Sequence, residues 1–388
     1  MAEEVRGFLE GLQGGGWRGL VLVFGEPGGV YDVLAEALRG ERGLLVYWPG
    51  RGVDAARERL RGFSLVYAGH LQDRLGEEHR VVVVDAFEGL QANTLAAAAE
   101  MVVGGGLLIV TGGGWRSLSA PGSTGAFSRW LRGRILAARN VLVVEEGRVV
   151  HRRGPERGPS SWLPGAKGTG LPAWLERLLC CPEQGEVVKR AEALVKRYEA
   201  GVLLVTGDRG RGKSASVGLA LAHLIARRLV GDVVVTGPSL HSTQSLFQWL
   251  ARGLRAARVR FRAWGPGRLY EGIKGAWFRV RYLDPSRVEP APLTVVEEAA
   301  AVGPARVRRI AGRSRNVIAV TTVHGYEGSG RYWLRVLTRQ LPPVETVELR
   351  TPVRYAPRDP LEELLYDALM LRPVDPEELP ICRHALNS

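Results

Sequence analysis

The stretch Gly207-Asp208-Arg209-Gly210-Arg211-Gly212-Lys213-Ser214 sets two glycines five residues apart and follows the second with a lysine and a hydroxyl residue. Glycines at those places let the backbone curl until its N–H groups point inward at a phosphate, and the helix that opens there adds partial positive charge. Lys213 is expected to reach β- and γ-phosphates, and the Ser214 hydroxyl to coordinate Mg²⁺. The motif needs a strand before it and a helix after it. Val202-Leu203-Leu204-Val205 and the run from Lys213 to Leu229 supply both. A second glycine pattern, Gly14, Gly16 and Gly19, precedes its strand instead of following it and is set aside.

A phosphate loop that hydrolyses its nucleotide needs an acidic pair at the end of a buried strand, one carboxylate for the metal and one for the attacking water. Leu293-Thr294-Val295-Val296-Glu297-Glu298 has that form, with Glu297 on the metal side and Glu298 as the base. Two glutamates in such a place also begin solvated helices, so the assignment leans on the loop upstream. A third chemistry is suggested between Arg252 and Arg287, where ten basic residues face only Glu271 and Asp284. Aromatic residues interleave them. The alternation Arg258-Val259-Arg260-Phe261-Arg262 predicts a strand with three guanidinium groups on one face, and Arg279 and Arg281 repeat the spacing. Such a face either tracks the phosphates of RNA while aromatics stack bases, or is a solvated edge strand in an arginine-rich chain.

The elements that must position these residues read as two α/β series. In the first, strands at 20–24, 43–47, 81–85, 107–110 and 141–144 alternate with helices at 30–38, 54–61 and 93–103. Continuous apolar strands between helices predict a parallel sheet covered on both faces. A Gly- and Pro-rich stretch, 151–172, is expected to be a linker. The second series runs through helix 182–200, strand 202–205, helix 213–229, strand 233–235, helix 240–256 and strands at 294–296 and 317–320. The first domain is therefore expected at 1–150, with a second beginning at 173.

Composition narrows the class. The 53 basic and 40 acidic side chains leave a net charge of +13, which suits a polyanionic partner, and RNA or DNA is the first candidate. Only five of the basic residues are lysines, a bias that a GC-rich genome also produces. Three cysteines, Cys180, Cys181 and Cys382, are too few for a disulfide framework or a four-cysteine zinc site. No apolar stretch is long enough to span a membrane and the first residues carry no apolar signal segment, so a cytoplasmic protein is expected. His70, His79, His151, His223, His241 and His384 show no catalytic spacing.

Several stretches together resemble one family. Val233-Val234-Val235-Thr236-Gly237-Pro238-Ser239 is similar to the helicase element that follows a phosphate loop. Glu297-Glu298-Ala299-Ala300-Ala301-Val302 resembles the acidic motif D-E-A-A-A-I, and residues 321–331, Thr-Thr-Val-His-Gly-Tyr-Glu-Gly-Ser-Gly-Arg, resemble the signature T-T-x-H-G-Y-E-G-[TS]-G-R. These motifs, with Val84 to Gly89 and Gly104 to Leu108 in the first half and Pro352 to Glu362 near the end, resemble the tRNA(Met) cytidine acetyltransferase family, TmcA, and its eukaryotic relatives. The resemblance covers about residues 15–372, which implies that the second domain is 173–372 and that 373–388 form a tail. It implies that Gln184 contacts the nucleotide base, that Gly207, Asp208, Arg209, Gly210, Arg211, Gly212, Lys213, Ser214 and Ala215 wrap the phosphates, and that Arg331 touches the γ-phosphate. Thr321 and Thr322 would couple nucleotide state to RNA. Glu297 stands where the family has aspartate. The family continues past the matched residues into an acetyltransferase domain and a tRNA-binding tail, and the resemblance covers neither.

The expected protein is thus α/β throughout, an N-terminal open parallel-sheet domain followed by a RecA-like, helicase-type P-loop domain. It should bind and hydrolyse ATP, with GTP as the alternative and Mg²⁺ as cofactor, using Lys213, Glu298 and Arg331. Its partner should be RNA, foremost tRNA, with Arg258, Arg260, Arg262, Arg279 and Arg281 in contact. A separate acetyltransferase chain would carry the acetyl transfer, which this chain is not expected to perform by itself. The rival readings are a stand-alone RNA- or DNA-stimulated ATPase and a non-hydrolysing, nucleotide-gated tRNA adaptor.

Overall fold

The computed structural model describes residues 1–322 and 344–371, apart from residues 75, 121 and 124. They group into two compact units, Met1–Trp162 joined by the residues from Arg354 onward, and Leu163–Val353.

In chain order the first unit contains α1 (Ala2–Leu12), β1 (Gly19–Phe24), α2 (Pro27–Ala37), β2 (Gly43–Tyr47), α3 (Arg51–Arg59), β3 (Phe63–Tyr67), β4 (His79–Asp85), α4 (Ala92–Glu100), β5 (Val102–Gly112), α5 (Ala126–Ala137), β6 (Val141–Glu145) and β7 (Arg148–Arg153). The sheet order is β3-β2-β4-β5-β1-β6-β7, parallel except for β7, which turns back antiparallel on β6. The central strands are apolar at nearly every position because helices cover both faces. Val21, Val23, Leu45, Val81, Val83 and Ile109 pack against α1, α2 and α3.

Three features depart from the expected elements. The helix foreseen over 93–103 stops at Glu100, and Val102 already belongs to β5. Two β-branched residues followed by Gly104, Gly105 and Gly106 disfavour helix continuation, and Gly105 has φ +75°. The strand β3 had no clear alternation to announce it, its residues being only partly buried. The stretch from His151 to Arg153, placed in the linker, completes β7, and the region without helix or strand begins at Gly154.

The second unit contains α6 (Ala173–Glu176), α7 (Pro182–Lys196), β8 (Gly201–Gly207), α8 (Lys213–Ala226), β9 (Asp232–Thr236), α9 (Gln244–Ala256), β10 (Arg262–Trp264), β11 (Gly272–Lys274), β12 (Arg279–Tyr282), β13 (Leu293–Val296), α10 (Ala299–Val302), α11 (Pro304–Ala311), β14 (Asn316–Thr321) and β15 (Val344–Leu349). Its order is β10-β11-β12-β9-β13-β14-β8-β15. Strands β12, β9, β13, β14, β8 and β15 run parallel, while β10 and β11 add an antiparallel edge. One face packs on α7, α8 and α9 through residues such as Val205, Leu221, Phe247 and Val280. The other packs on α10 and α11 through Val234, Val296, Val307 and Ile310.

The last described helix, α12 (Pro360–Ala368), lies in the first unit, so the chain leaves that unit and returns to it instead of crossing once at a linker. The return is fastened by a buried ion pair. Arg18 and Asp359 are 2% and 0% exposed and meet at 2.8 Å, with the Arg18 backbone N–H donating to Asp359 Oδ2 at 2.7 Å. The Tyr355 ring lies 3.6 Å from the Arg18 guanidinium carbon, and Asp359 also caps α12 by accepting from the Glu362 N–H.

Candidate nucleotide site and basic face

Strand β8 ends on Gly207 and α8 begins at Lys213, so the connecting loop sits at the carboxyl end of the sheet. Gly207, Gly210 and Gly212 have φ of +146°, +73° and +77°, conformations that side chains disfavour. At Gly207 a Cβ would also collide with the Leu349 carbonyl, and at Gly212 with the Gln184 amide. The loop is held from behind, since Gly210 O accepts the Val353 N–H at 2.9 Å and Glu183 Oε2 accepts the N–H groups of Arg350 and Thr351. Lys213 Nζ folds onto the loop's own carbonyls, donating to Gly207 O at 2.8 Å and Asp208 O at 2.9 Å. Arg211 is buried, with Asp208 at 4.0 Å.

Strand β14 separates β8 from β13, so Glu297, just past β13, faces the loop across one strand. Ser214 Oγ donates to Glu297 Oε2 at 2.9 Å. Glu297 is 1% exposed and its Oε1 has no hydrogen-bond partner. Burial pushes this carboxyl up to about 8, against the lowering effect of Ser214 and Lys213, and the neighbouring Glu298 adds to the rise. A buried carboxyl with one oxygen on a loop hydroxyl and the other unsatisfied is a donor set that fits a divalent cation beside a phosphate. Glu298 is half-buried in the left-handed region at φ 46°, ψ 50°, a strained backbone of the kind found at functional positions. Two further buried hydroxyls without partners, Thr236 Oγ1 and Thr321 Oγ1, close the carboxyl ends of β9 and β14. Thr322 follows half-buried.

The structure therefore brings Lys213, Ser214 and Glu297 together at one end of one sheet, with Glu298 next in sequence. Gln184, expected at the nucleotide base, is 2% exposed, its Oε1 accepts the Cys180 N–H at 2.8 Å, and its amide abuts Gly212. It props the loop from within. Arg331 lies outside the described residues.

The basic segment is organised differently from the expected strand. Residues 258–261 are not in a strand, because α9 ends at Ala256 and Arg258 adopts φ 58°; β10 begins only at Arg262. The alternation of exposure survives, with Arg258, Arg260 and Arg262 exposed and Val259 and Phe261 half-buried against the core. Across β10, β11 and β12 the register aligns Arg262 with Lys274 and Lys274 with Arg279. Trp264 pairs with Gly272, where a Cβ would collide with the indole ring. The intervening Ile273 and Val280 are buried on the α9 side, so the row faces the α11 side. Arg281 is committed elsewhere, to Asp232 at 2.5 Å and Glu289 at 3.3 Å. Lys274 and Trp264 belong to the basic, aromatic-interleaved segment read from the sequence, but only the strand register reveals that they share a row with Arg262 and Arg279.

Comparison with known proteins adds the family. Residues 1–146 match the N-terminal domain of tRNA(Met) cytidine acetyltransferase TmcA, and residues 204–372 match the helicase domain of RNA cytidine acetyltransferase NAT10/TcmA. The chain is 37% identical to tRNA(Met) cytidine acetyltransferase TmcA of Aeropyrum pernix over 97% of its own length and 53% of that protein's. It is 35% identical to the TmcA of Saccharolobus islandicus over 52% of its length and 28% of that protein's. Among solved structures, the large terminase of a thermophilic bacteriophage aligns over 44% of this chain and 46% of its own at a TM-score of 0.33 and 12% identity, a likeness too slight to bear on function.

Proposed function

This chain belongs to the tRNA(Met) cytidine acetyltransferase family by its N-terminal and helicase domains, and from that premise we propose that it is a Mg²⁺-dependent ATPase, with GTP as the alternative nucleotide, that couples hydrolysis to the handling of tRNA for N4-acetylcytidine formation. The chain spans about half the length of the curated relative it matches along nearly its whole length. Neither matched domain is described as an acetyltransferase domain, and the acetyl transfer is assigned to a separate acetyltransferase domain or chain.

The observation that carries the ATPase reading is the Ser214–Glu297 contact at 2.9 Å, with Glu297 Oε1 left unsatisfied beneath a loop of left-handed glycines. Ser214 and Glu297 would hold the magnesium ion, which when bound neutralises charge on the β- and γ-phosphates. Lys213 leaves the carbonyls of Gly207 and Asp208 and turns to the phosphates. Backbone N–H groups of the loop fix the phosphate chain, and Gln184 keeps Gly212 in its left-handed turn. Glu298 accepts a proton from the water that attacks the γ-phosphate, giving ADP and inorganic phosphate. Arg331, by the family resemblance, stabilises the charge that develops on the transferred group.

Glu298→Gln tests the division of labour between the two glutamates. The variant is expected to bind ATP as the parent does and to hydrolyse it about a hundredfold more slowly, the usual loss when a general base is removed. Hydrolysis at the parental rate would take Glu298 out of that role.

A further inference from the structure

The antiparallel edge of the second sheet carries cations whose charge the protein does not neutralise. Arg262, Lys274 and Arg279 are exposed and lie in one cross-strand row, and they make no ion pair with a described carboxylate. Neighbouring strands lie about 4.8 Å apart, so the three cations fall within about 10 Å. Arg281, on the same face, is the contrasting case, with Asp232 and Glu289 both on its guanidinium. Two residues along β10 from Arg262 the Trp264 indole lies over Gly272, a position at which any side chain would displace it, and the Arg279 guanidinium is 6.0 Å from the ring centre. The same side of the sheet continues onto α11, whose Arg306 and Arg309 are exposed.

We propose that this face, the row Arg262–Lys274–Arg279 with Trp264 beside it, is a docking strip for single-stranded RNA, the cations holding consecutive phosphates of one strand and the indole stacking on an unpaired base. It rests on the reading of the chain as an RNA-coupled module and gives that module a contact surface. Charge complementarity selects a polyanion. The aromatic ring set level with the cations selects a strand whose bases are open to stacking over a duplex or an acidic protein, neither of which has a free base to offer.

The test measures binding of a fluorescent oligouridylate to the full chain between about 50 and 200 mM salt. Four variants are compared with the parent: Arg262→Ala/Lys274→Ala/Arg279→Ala, Trp264→Leu, Gly272→Ala, and Arg252→Ala/Arg255→Ala as a charge-loss control on α9. Removing the row should weaken binding at least about tenfold and reduce the slope of log affinity against log salt by about two, the value for three phosphate contacts on a single strand. Trp264→Leu and Gly272→Ala should each weaken binding about tenfold with the salt slope retained, since they remove a stacked base and leave the cations. The control and the unstimulated ATP hydrolysis of every variant should stay at the parental level, which separates loss of contact from loss of fold. Parental affinity and slope in the triple variant overturn the strip while leaving RNA binding by the chain intact. A parent chain that binds no RNA overturns the strip together with the reading beneath it. Equal competition by duplex RNA or polyglutamate, with Trp264→Leu unaffected, overturns it in favour of a general polyanion surface.

Discussion

At the scale of single residues the account turns on Glu297. Its carboxyl is 1% exposed, bonded to Ser214 through one oxygen and to nothing through the other. Burial lifts it from the ordinary 4.5 to about 8, so between those values the folded chain holds a proton that the unfolded chain releases. Stability contributed by this group is therefore lost as pH rises from about 4.5 to about 8. Glu297→Gln cannot ionise and should flatten that slope: its ligand-free melting temperature at about pH 8.5 is expected to exceed the parent's by a few degrees, while the two agree near about pH 5. Equal melting temperatures across the range would show that the carboxyl is not the buried group described. A cation accepts only the ionised form, so on the proposed reading Mg·ATP binding at this residue would release a proton at neutral pH. The loop glycines, Lys213, Ser214 and the acidic pair were legible in the sequence because their chemistry fixes both type and spacing. The packing of the Gln184 amide against Gly212 was not, since it depends on how α7 lies against the loop and not on local spacing.

At the scale of elements, the strands buried on both faces, β1, β4, β8 and β13, could be read from their unbroken apolar runs. The edge strands could not. The residues of β7 are nearly all exposed, and β10 to β12 are three or four residues long, too short to establish a period. Pairing across strands made the basic row, and pairing is not a local property of sequence. The same holds for α12, whose attachment to the first unit depends on Arg18 and Asp359, 341 residues apart. Asp359→Ala leaves the Arg18 guanidinium buried without its counter-charge and uncaps α12. It should destabilise the first unit by about 3–5 kcal/mol in a denaturant titration. A loss below about 1 kcal/mol would mean that the return segment is not fastened there.

At the scale of the whole molecule, the proposed motor that acts on RNA draws its support from a net charge of +13, a glycine loop of phosphate-binding form in the second unit and membership in the tRNA(Met) cytidine acetyltransferase family. Among the described residues no helix is long and apolar enough to cross a membrane. The two units are each a mainly parallel α/β sheet, as the alternating sequence pattern foretold, and contacts draw their limits at Trp162 and Val353, where the Gly- and Pro-rich stretch had suggested 150 and the family resemblance 372. That difference arises because the returning residues from Arg354 are joined to the second unit by chain and to the first by packing. Steady-state ATP hydrolysis by the purified chain, with and without tRNA and with Lys213→Ala as the blank, tests the central claim most directly. The account predicts Mg²⁺-dependent turnover that rises on addition of tRNA and vanishes in Lys213→Ala. ATP bound without turnover, whether or not tRNA is present, would contradict it and leave a nucleotide-gated adaptor in place of a motor.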